Sequence, residues 1–266
     1  MRLQLSTNNR IIAKKSLGQN FIHNENFLIK LANNIVSNKN TDIIEIGPGT
    51  GSLTKHLQQK KFNNLILIEK DTELSKILKE KYKCKKNIKI FNEDALYLDL
   101  QSISKSKECI IVGNLPFNIS SQLLLNWISY NKWPPFYNKM YLMFQKELGK
   151  RINSKINNKS YGRLSILTQS RCNIKELMEA PSHIFNPKPK VDGIILELTP
   201  IDTFIDVDLK ILKLILKAAF ENRRKKLKNS LSDYKLYFDN WEKDKDLRPE
   251  NLDVEKYCSL ARKLTI

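Results

Sequence analysis

The sequence is poor in the residues that build disulfide-rich, metal-binding or membrane proteins. Its 266 residues include four cysteines, Cys84, Cys109, Cys172 and Cys258, and none forms a Cys-x-x-Cys pair or lies near a histidine at metal-ligand spacing. No apolar run approaches the roughly 20 residues of a membrane span, and the amino terminus lacks the apolar stretch of a secretion signal. We therefore expect a cytoplasmic protein with reduced cysteines, no bound metal and no membrane partner.

Acidic residues are scarce relative to basic ones. The chain has 46 Lys and Arg against 28 Asp and Glu, which gives a formal net charge of +18. An excess of this size destabilises a compact fold unless an anionic partner screens it, and nucleic acid is the natural candidate. A genome biased towards lysine is the alternative explanation, because solvated positions accept lysine without any functional reason. We favour the nucleic-acid partner.

Short β-rich apolar runs alternate with segments of helical length. The runs cover residues 42–46, 65–68, 88–91, 109–112, 140–144 and 193–198, and helices are predicted over residues 52–60, 72–82 and 120–130. This alternation predicts an α/β fold with a parallel sheet covered on both faces.

The β signal disappears after Pro200. Residues 208–220 place Leu209, Leu212, Ile215, Leu216 and Ala219 along one helical stripe, and Asn251 or Asp253 is suited to cap a last helix that ends near Lys263. We therefore expect a catalytic α/β domain over residues 1–200 and a small all-helical domain over residues 201–266.

A glycine-rich turn follows the first predicted strand of the sheet. Gly47-Pro48-Gly49-Thr50-Gly51 brings backbone without side chains close to whatever lies above the strand ends. Ser52 breaks the G-x-G-x-x-G dinucleotide fingerprint, and no Gly-Lys-Ser/Thr follows, which excludes a Walker A loop. The G-x-G-x-G turn resembles the first motif of class I, Rossmann-like methyltransferases that use S-adenosylmethionine. A purely structural turn is the alternative.

Two acids end the next two predicted strands. Glu69 lies about 20 residues after the turn, where a carboxylate can accept hydrogen bonds from both hydroxyls of a ribose. Asp94 follows the third strand, where it can accept an amino proton of a cofactor adenine. Either acid alone would more often be a helix cap or a solvated loop residue. Together with Gly47 and Gly49 they predict a nucleoside-cofactor site at three consecutive strand ends.

The fourth predicted strand leads into Asn114-Leu115-Pro116-Phe117, which we predict to be the catalytic segment. The exocyclic amine of adenine is a poor nucleophile because its lone pair is delocalised into the ring. The Asn114 side-chain oxygen and the Leu115 carbonyl can each accept one proton of that amine and stabilise the developing positive charge. Pro116 helps to present the preceding carbonyl, and Phe117 offers a face on which an extruded base stacks, worth about 1–3 kcal/mol. A strand followed by a proline loop and a helix cap is the alternative.

With these motifs in place, the chain resembles the KsgA-type small-subunit (16S) rRNA adenine N6-dimethyltransferases over nearly its whole length. The matching segments are residues 14–21, 45–54, 68–71, 93–95, 113–120, 144–147, 161–165, 185–192, 219–231 and 248–252. The departures are Phe117 in place of a commoner Tyr, Ser16-Leu17 in place of a basic-aromatic pair, and Lys188 in place of a third Pro.

The resemblance implies the reaction and further site residues. Asn20 and Ile22 would close over S-adenosylmethionine beside Gly47, Glu69, Asp94 and Asn114, and S-adenosylhomocysteine would be the product. Two methyl groups would be transferred to each of two adjacent adenines in the 3′-terminal hairpin of small-subunit rRNA, late in subunit biogenesis. Phe185 would form a second wall for the flipped base, although a lone Phe before prolines is more often a core residue.

A basic cluster follows the stripe of the helical domain. Arg223, Arg224, Lys225 and Lys226 are placed to grip RNA phosphates, and we favour this function over a merely solvated face. The lysine-rich stretch over residues 76–89 is interpreted instead as a solvated face.

Two other functions remain open on the same core motifs. One is an Erm-type large-subunit rRNA adenine methyltransferase, and the other is a non-catalytic RNA- or DNA-binding assembly or transcription factor. Residues 161–165 and 223–231 favour the small-subunit enzyme over the first, and the intact Asn114, Glu69 and Asp94 argue against the second. We expect the enzyme to act as a monomer on the immature small ribosomal subunit.

Overall fold

The computed structural model describes residues 13–130 and 132–264, apart from the side chain of Lys15. Residues 1–12, on which the expectation about a secretion signal largely depends, lie outside this description. The strands are β1 (Phe21–Ile22), β2 (Thr41–Ile46), β3 (Leu65–Ile68), β4 (Ile88–Phe91), β5 (Glu108–Asn114), β6 (Lys139–Gln145), β7 (Cys172–Ala180), β8 (Phe185–Asn186) and β9 (Gly193–Pro200). The α-helices are α1 (Glu25–Asn34), α2 (Thr54–Leu57), α3 (Thr72–Tyr82), α4 (Leu100–Ile103), α5 (Ser120–Ile128), α6 (Lys146–Ile152), α7 (Arg163–Gln169), α8 (Leu209–Glu221), α9 (Leu227–Ser230), α10 (Trp241–Asp244) and α11 (Val254–Lys263).

Seven strands form one sheet in the order β4-β3-β2-β5-β6-β9-β7. The chain runs from β2 outwards through β3 to β4, and then returns to place β5 on the other side of β2. Strand order therefore reverses between β2 and β5, where the carboxyl ends of parallel strands leave a crevice suited to a ligand. All six residues of β2 are buried because helices cover both faces of the sheet.

The sheet is mixed: the prediction of a parallel sheet holds for the pairing of five strands and is wrong at β9, which runs against the other six strands. β9 pairs antiparallel with both β6 and β7. The sequence pattern missed β7 because its residues are largely half-exposed and a register shift between Glu176 and Met178 interrupts the alternation of side chains. The helix predicted over residues 52–60 shortens to α2, whereas the one predicted over residues 72–82 matches α3.

The helical part begins after β9 and packs directly against the sheet layer. Asp208 caps α8 by accepting from the backbone N–H of Lys210, and Asp253, rather than Asn251, caps α11 by accepting from Lys256. The buried stripe of α8 belongs to the same apolar cluster as residues of α7 and β9; among its members are Leu212, Ile215, Leu216, Ala219, Ile166 and Leu198. No helix in the described part of the chain is long and apolar enough to cross a membrane.

Two arginines fix the connection between β9 and α8. The buried guanidinium of Arg171 donates to the carbonyl oxygens of Phe204 (3.1 Å) and Val207 (2.9 Å) and lies 5.0 Å from the ring centre of Trp133. Arg262 on α11 pairs with Asp206 from the other side at 2.8 Å. The connection is therefore bound to both the sheet layer and the last helix.

A carboxyl group lies buried in β2 directly beneath the glycine turn. Glu45 is 3% exposed, and its Oε2 accepts a hydrogen bond of 2.7 Å from the Thr54 hydroxyl. Burial raises the pKa of Glu45 from 4.5 to about 7, against the opposing effect of the Thr54 hydrogen bond. Burial beside Glu45 also raises the pKa of Tyr82 to about 12.

Glu45→Gln is expected to remove a pH dependence of stability. The unfolded chain releases this proton near pH 4.5 and the folded chain near pH 7, so rising pH favours unfolding between these values. The variant should gain about 3 kcal/mol in free energy of unfolding relative to the wild type across this interval. Urea unfolding at several pH values measures the difference, with exposed Glu80→Gln as the control. A difference that stays constant with pH would contradict the assignment.

Candidate functional site

A cavity opens at the carboxyl ends of β2, β3 and β5, at the reversal of strand order. It encloses about 910 Å³ when its open mouth is counted. The residues that line it come from all three strand ends, from the loop after β4 and from the segment before β1; those singled out from the sequence are Asn20, Gly47, Gly49, Glu69, Asp94, Asn114, Leu115, Pro116 and Phe117. The structure thus brings together nearly the whole predicted cofactor and catalytic set.

The glycine turn needs glycine for two separate reasons. Gly47, Gly49 and Gly51 have φ values of 65°, 59° and 77°, a region that other residues rarely adopt. At Gly49 a Cβ atom would also lie 2.9 Å from Cε1 of Phe21, whose ring packs against the turn. The turn therefore presents its backbone to the cavity and packs against the ring of Phe21.

Glu69 anchors the turn to the end of β3. Its Oε2 accepts from the backbone N–H of Gly49 and its Oε1 from that of Asp71, both at 2.9 Å, and the residue is 6% exposed. Burial raises the pKa of Glu69, while the two backbone donors act to lower it. Each carboxylate oxygen keeps a lone pair for a further donor, so the group can still accept hydrogen bonds from a diol in the cavity.

Asp94 lies where the sequence predicted it, at the cavity wall after β4. Its Oδ1 accepts from the backbone N–H of Leu96 at 3.0 Å, and its Oδ2 pairs with Lys70 at 2.8 Å. Partial burial raises the pKa of Asp94, but the hydrogen bonds from Lys70 and Leu96 outweigh it, so the net pKa is lowered. The Asp94 carboxylate is therefore an ionised acceptor at neutral pH. It also pairs with Lys70, which was not predicted from the sequence.

The segment after β5 presents a side-chain amide to the cavity. Asn114 is the last residue of β5, and its Nδ2 donates to the backbone carbonyl of Asn20 at 2.9 Å. Its Oδ1 accepts no hydrogen bond from any residue that the structure describes. The Leu115 side chain is 1% exposed and anchors the segment in the core, while Pro116 and Phe117 remain half-buried at the cavity wall.

Ile22 and Phe185 lie away from the cavity wall. They are paired in the two-stranded sheet of β1 and β8, are 5% and 3% exposed, and belong to one apolar cluster. Neither lines the cavity, in contrast to the predicted contacts with cofactor and base. The physical reason is packing, because both side chains are buried in the apolar cluster that also contains Phe27, Leu28 and Met143.

Several residues that complete the site were not predicted from the sequence. Phe21 packs on the glycine turn, and Gln19 donates to the Asp71 carboxylate at 3.0 Å. Both Gln19 and Phe21 lie in the matching segment over residues 14–21, which was the available signal. Their contacts are long-range in sequence, so spacing alone does not reveal them.

The basic cluster is partly neutralised by neighbouring acids. Arg223 pairs with Glu250 at 3.6 Å and donates to the Lys159 carbonyl, and Lys226 pairs with Asp246 at 3.0 Å. Hydrogen bonds from Lys226 and Lys228 lower the pKa of Asp246 to about 2. Arg224 and Lys225 are exposed and form no ion pair within the described ranges, so they are the cations left for an anionic partner.

Comparison with known proteins identifies similar chains and folds. A protein from Pelagibacter ubique (strain HTCC1062) named Ribosomal RNA small subunit methyltransferase A is 40% identical over 261 residues, covering 94% of this chain and 96% of the relative. A dimethyladenosine transferase from Plasmodium falciparum superimposes with a TM-score of 0.77 at 24% identity, over 90% of this chain and 95% of that one. The 23S rRNA methyltransferase ErmE superimposes with a TM-score of 0.69 at 20% identity, over 93% of this chain and 100% of that one.

The structural likenesses confirm the predicted class I methyltransferase fold, a Rossmann-like sheet with a carboxyl-terminal helical part. The family model for the ribosomal RNA adenine dimethylases matches residues 11–265. This protein therefore belongs to the ribosomal RNA adenine dimethylase family.

Proposed function

We propose that this protein transfers methyl groups from S-adenosylmethionine to N6 of two adjacent adenines in the 3′-terminal hairpin of small-subunit rRNA. The product is N6,N6-dimethyladenosine, made late in the biogenesis of the small subunit. The observation that carries the proposal is Asn114, which lines a cavity together with Glu69 and Asp94 and whose Oδ1 accepts no hydrogen bond from the described residues. One copy of the chain supplies all of these groups, which supports a monomer, and a substrate in the immature small subunit supports action in the cytoplasm.

The cavity fits a nucleoside cofactor in the chemistry of its donors and acceptors. Glu69 offers two carboxylate oxygens to ribose hydroxyls, and Asp94 offers an ionised acceptor to an adenine amino group. The absence of a side chain at Gly47, where a Cβ atom would meet only the Asn114 carbonyl oxygen at 3.8 Å, leaves room for the cofactor against the turn. When bound, S-adenosylmethionine supplies an electrophilic methyl group.

The catalytic segment then activates the amine of the base. Asn114 Oδ1 and the Leu115 carbonyl accept hydrogen bonds from the two N6–H groups, which favours a pyramidal nitrogen with its lone pair directed at the methyl group. Phe117 stacks on the extruded adenine and holds it in plane. The methylated nitrogen carries a positive charge and is acidic, so its proton passes to water without a dedicated base.

RNA binding is supported by the exposed cations around the helical part. Arg224 and Lys225 lie beside the contact between Arg223 and the loop that carries Lys155 and Lys159, both exposed. Basic groups from the catalytic and helical parts therefore adjoin one another. Phosphates of folded RNA can bridge them without any reading of sequence.

Glu69→Ala should weaken cofactor binding. The loss of a buried carboxylate that accepts from the ribose removes charged hydrogen bonds, and we expect a dissociation constant for S-adenosylmethionine about tenfold to a hundredfold higher. Calorimetric titration measures it, with Glu80→Gln as the control for loss of an exposed charge. An unchanged constant in a folded variant would remove Glu69 from the site.

Asn114→Ala should abolish most methyl transfer and weaken cofactor binding much less, because Asn114 contacts both the reacting amine and the cofactor site. Loss of one acceptor for the reacting amine is expected to lower kcat about 100- to 1,000-fold. Labelled cofactor and immature small subunits provide the assay, and Asn34→Ala, an exposed Asn remote from the cavity, is the control. Transfer at the wild-type rate by the Asn114 variant would refute the mechanism, and label on large-subunit rRNA alone would refute the substrate.

Removing Arg224 and Lys225 together should weaken RNA binding in a salt-dependent way. If each contacts one phosphate, Arg224→Ala/Lys225→Ala lowers the slope of log K against log salt by about 2. Lys85→Ala/Lys86→Ala removes the same charge from the lysine-rich face near the cofactor side and should leave the slope unchanged. If both double variants lower the slope by the same amount, RNA binding depends on net charge alone and not on Arg224 and Lys225 in particular.

A further inference from the structure

The Asn114 amide can serve the reaction in one of its two orientations. A half-turn about its last bond exchanges Oδ1 and Nδ2, which are nearly equal in size, and only the oxygen can accept a proton from the amine. The hydrogen bond of 2.9 Å from Nδ2 to the Asn20 carbonyl makes the two orientations unequal. The position of one backbone carbonyl, 94 residues earlier in the chain, thus decides which atom faces the base.

Asn20 belongs to a strap over the strand ends, formed by residues 14–22. Gly18 lies in the strap with φ of +63°, and a Cβ atom there would lie 3.4 Å from Cβ of Pro116, so strap and catalytic segment are in close contact. Phe21 packs on Gly49, and Asn20 Nδ2 donates to the Gly18 carbonyl at 3.2 Å. The strap therefore spans the ends of β2 and β5.

The strap is fixed at its other end by one buried carboxylate at the end of β3. Asp71 is 4% exposed, and its Oδ2 accepts from Gln19 Nε2 at 3.0 Å while its Oδ1 accepts from Lys14 Nζ at 2.9 Å. Gln19 Oε1 accepts in turn from the backbone N–H of Lys14 at 2.8 Å. Lys14 is half-exposed whereas Asp71 is buried, and against the effect of this burial the hydrogen bonds from Lys14 and Gln19 both lower the pKa of Asp71; Gln19 is the contact that joins the middle of the strap to this carboxylate.

We infer that Gln19 and Asp71 are positioning residues for methyl transfer, because their hydrogen bond holds the strap that orients the Asn114 amide. The inference rests on the proposed catalytic role of Asn114. Asp71 also caps α3 and donates its N–H to Glu69, so one residue connects the ribose acceptor, the strap and the catalytic amide. Neither Gln19 nor Asp71 needs to touch the reacting atoms.

The test reverses the polarity of the hydrogen bond between the two residues. Gln19→Glu places a second carboxylate against Asp71 and breaks the contact. Gln19→Glu/Asp71→Asn restores it, because the new amide at position 71 donates to the new carboxylate at position 19. Asn remains a good helix cap, and the carboxylate at position 19 still accepts from the backbone N–H of Lys14. Glu73→Gln, an exposed change on the first turn of α3, is the matched control.

Enzyme kinetics, thermal unfolding and NMR together distinguish positioning from folding and from cofactor binding. We expect kcat to fall about tenfold to a hundredfold in the single variant, since displacement by about 1 Å can cost that much. The double variant should return to within a few-fold of the wild type, with KM for S-adenosylmethionine changed less than kcat and the thermal midpoint of unfolding retained. The Asn114 side-chain amide in ¹⁵N NMR spectra, assigned by its loss in Asn114→Asp, reports its hydrogen bond without any substrate.

The NMR result decides the inference independently of the reaction. We expect the bonded Asn114 amide proton to shift towards the free-amide position in Gln19→Glu and to return in the double variant. An unchanged signal in Gln19→Glu would overturn the inference, as would a single variant with wild-type kcat on active enzyme. A wild-type protein that methylates no rRNA would instead refute the proposed function, while the NMR comparison would still judge the strap.

Discussion

The two hydrogen bonds that the Glu69 carboxylate accepts from backbone N–H groups hold the site together. Glu69 accepts hydrogen bonds from the backbone N–H of Gly49, in the turn after β2, and from that of Asp71, before α3. The ends of β2 and β3 are therefore connected before any ligand binds. Burying a charge is costly unless hydrogen bonds satisfy it, and this cost makes the arrangement specific, because few other conformations supply two donors at once. The turn, the helix cap and the strap all take their positions from this contact.

The site was largely predictable because cofactor sites in such sheets collect residues at strand ends, and strand ends can be recognised in sequence. Gly47, Glu69, Asp94 and Asn114 each follow an apolar run, and topology alone brings them together. The antiparallel strands β9 and β7 were less accessible, since direction depends on the path of the chain and the bulge in β7 hides its alternation.

The residues placed wrongly or incompletely by sequence depend on distant partners. Phe185 and Ile22 are apolar residues in a motif; the sequence left a core position open for Phe185, and their packing in one apolar cluster shows that both are buried. Lys226 is in a basic run, but Asp246, 20 residues later, neutralises part of its charge. A local pattern identifies which chemistry is present, whereas the three-dimensional contacts determine which atoms remain available for it.

The shared core of the sheet and the carboxyl-terminal helices limits how such a protein can change in evolution. Arg171 and Arg262 bind the connecting segment from both sides, and α8 buries its stripe against the catalytic layer. A part that contributes to the common core cannot be exchanged like an independent module without rebuilding the interior. Surface positions, which lie outside this common core, can be substituted without rebuilding the interior.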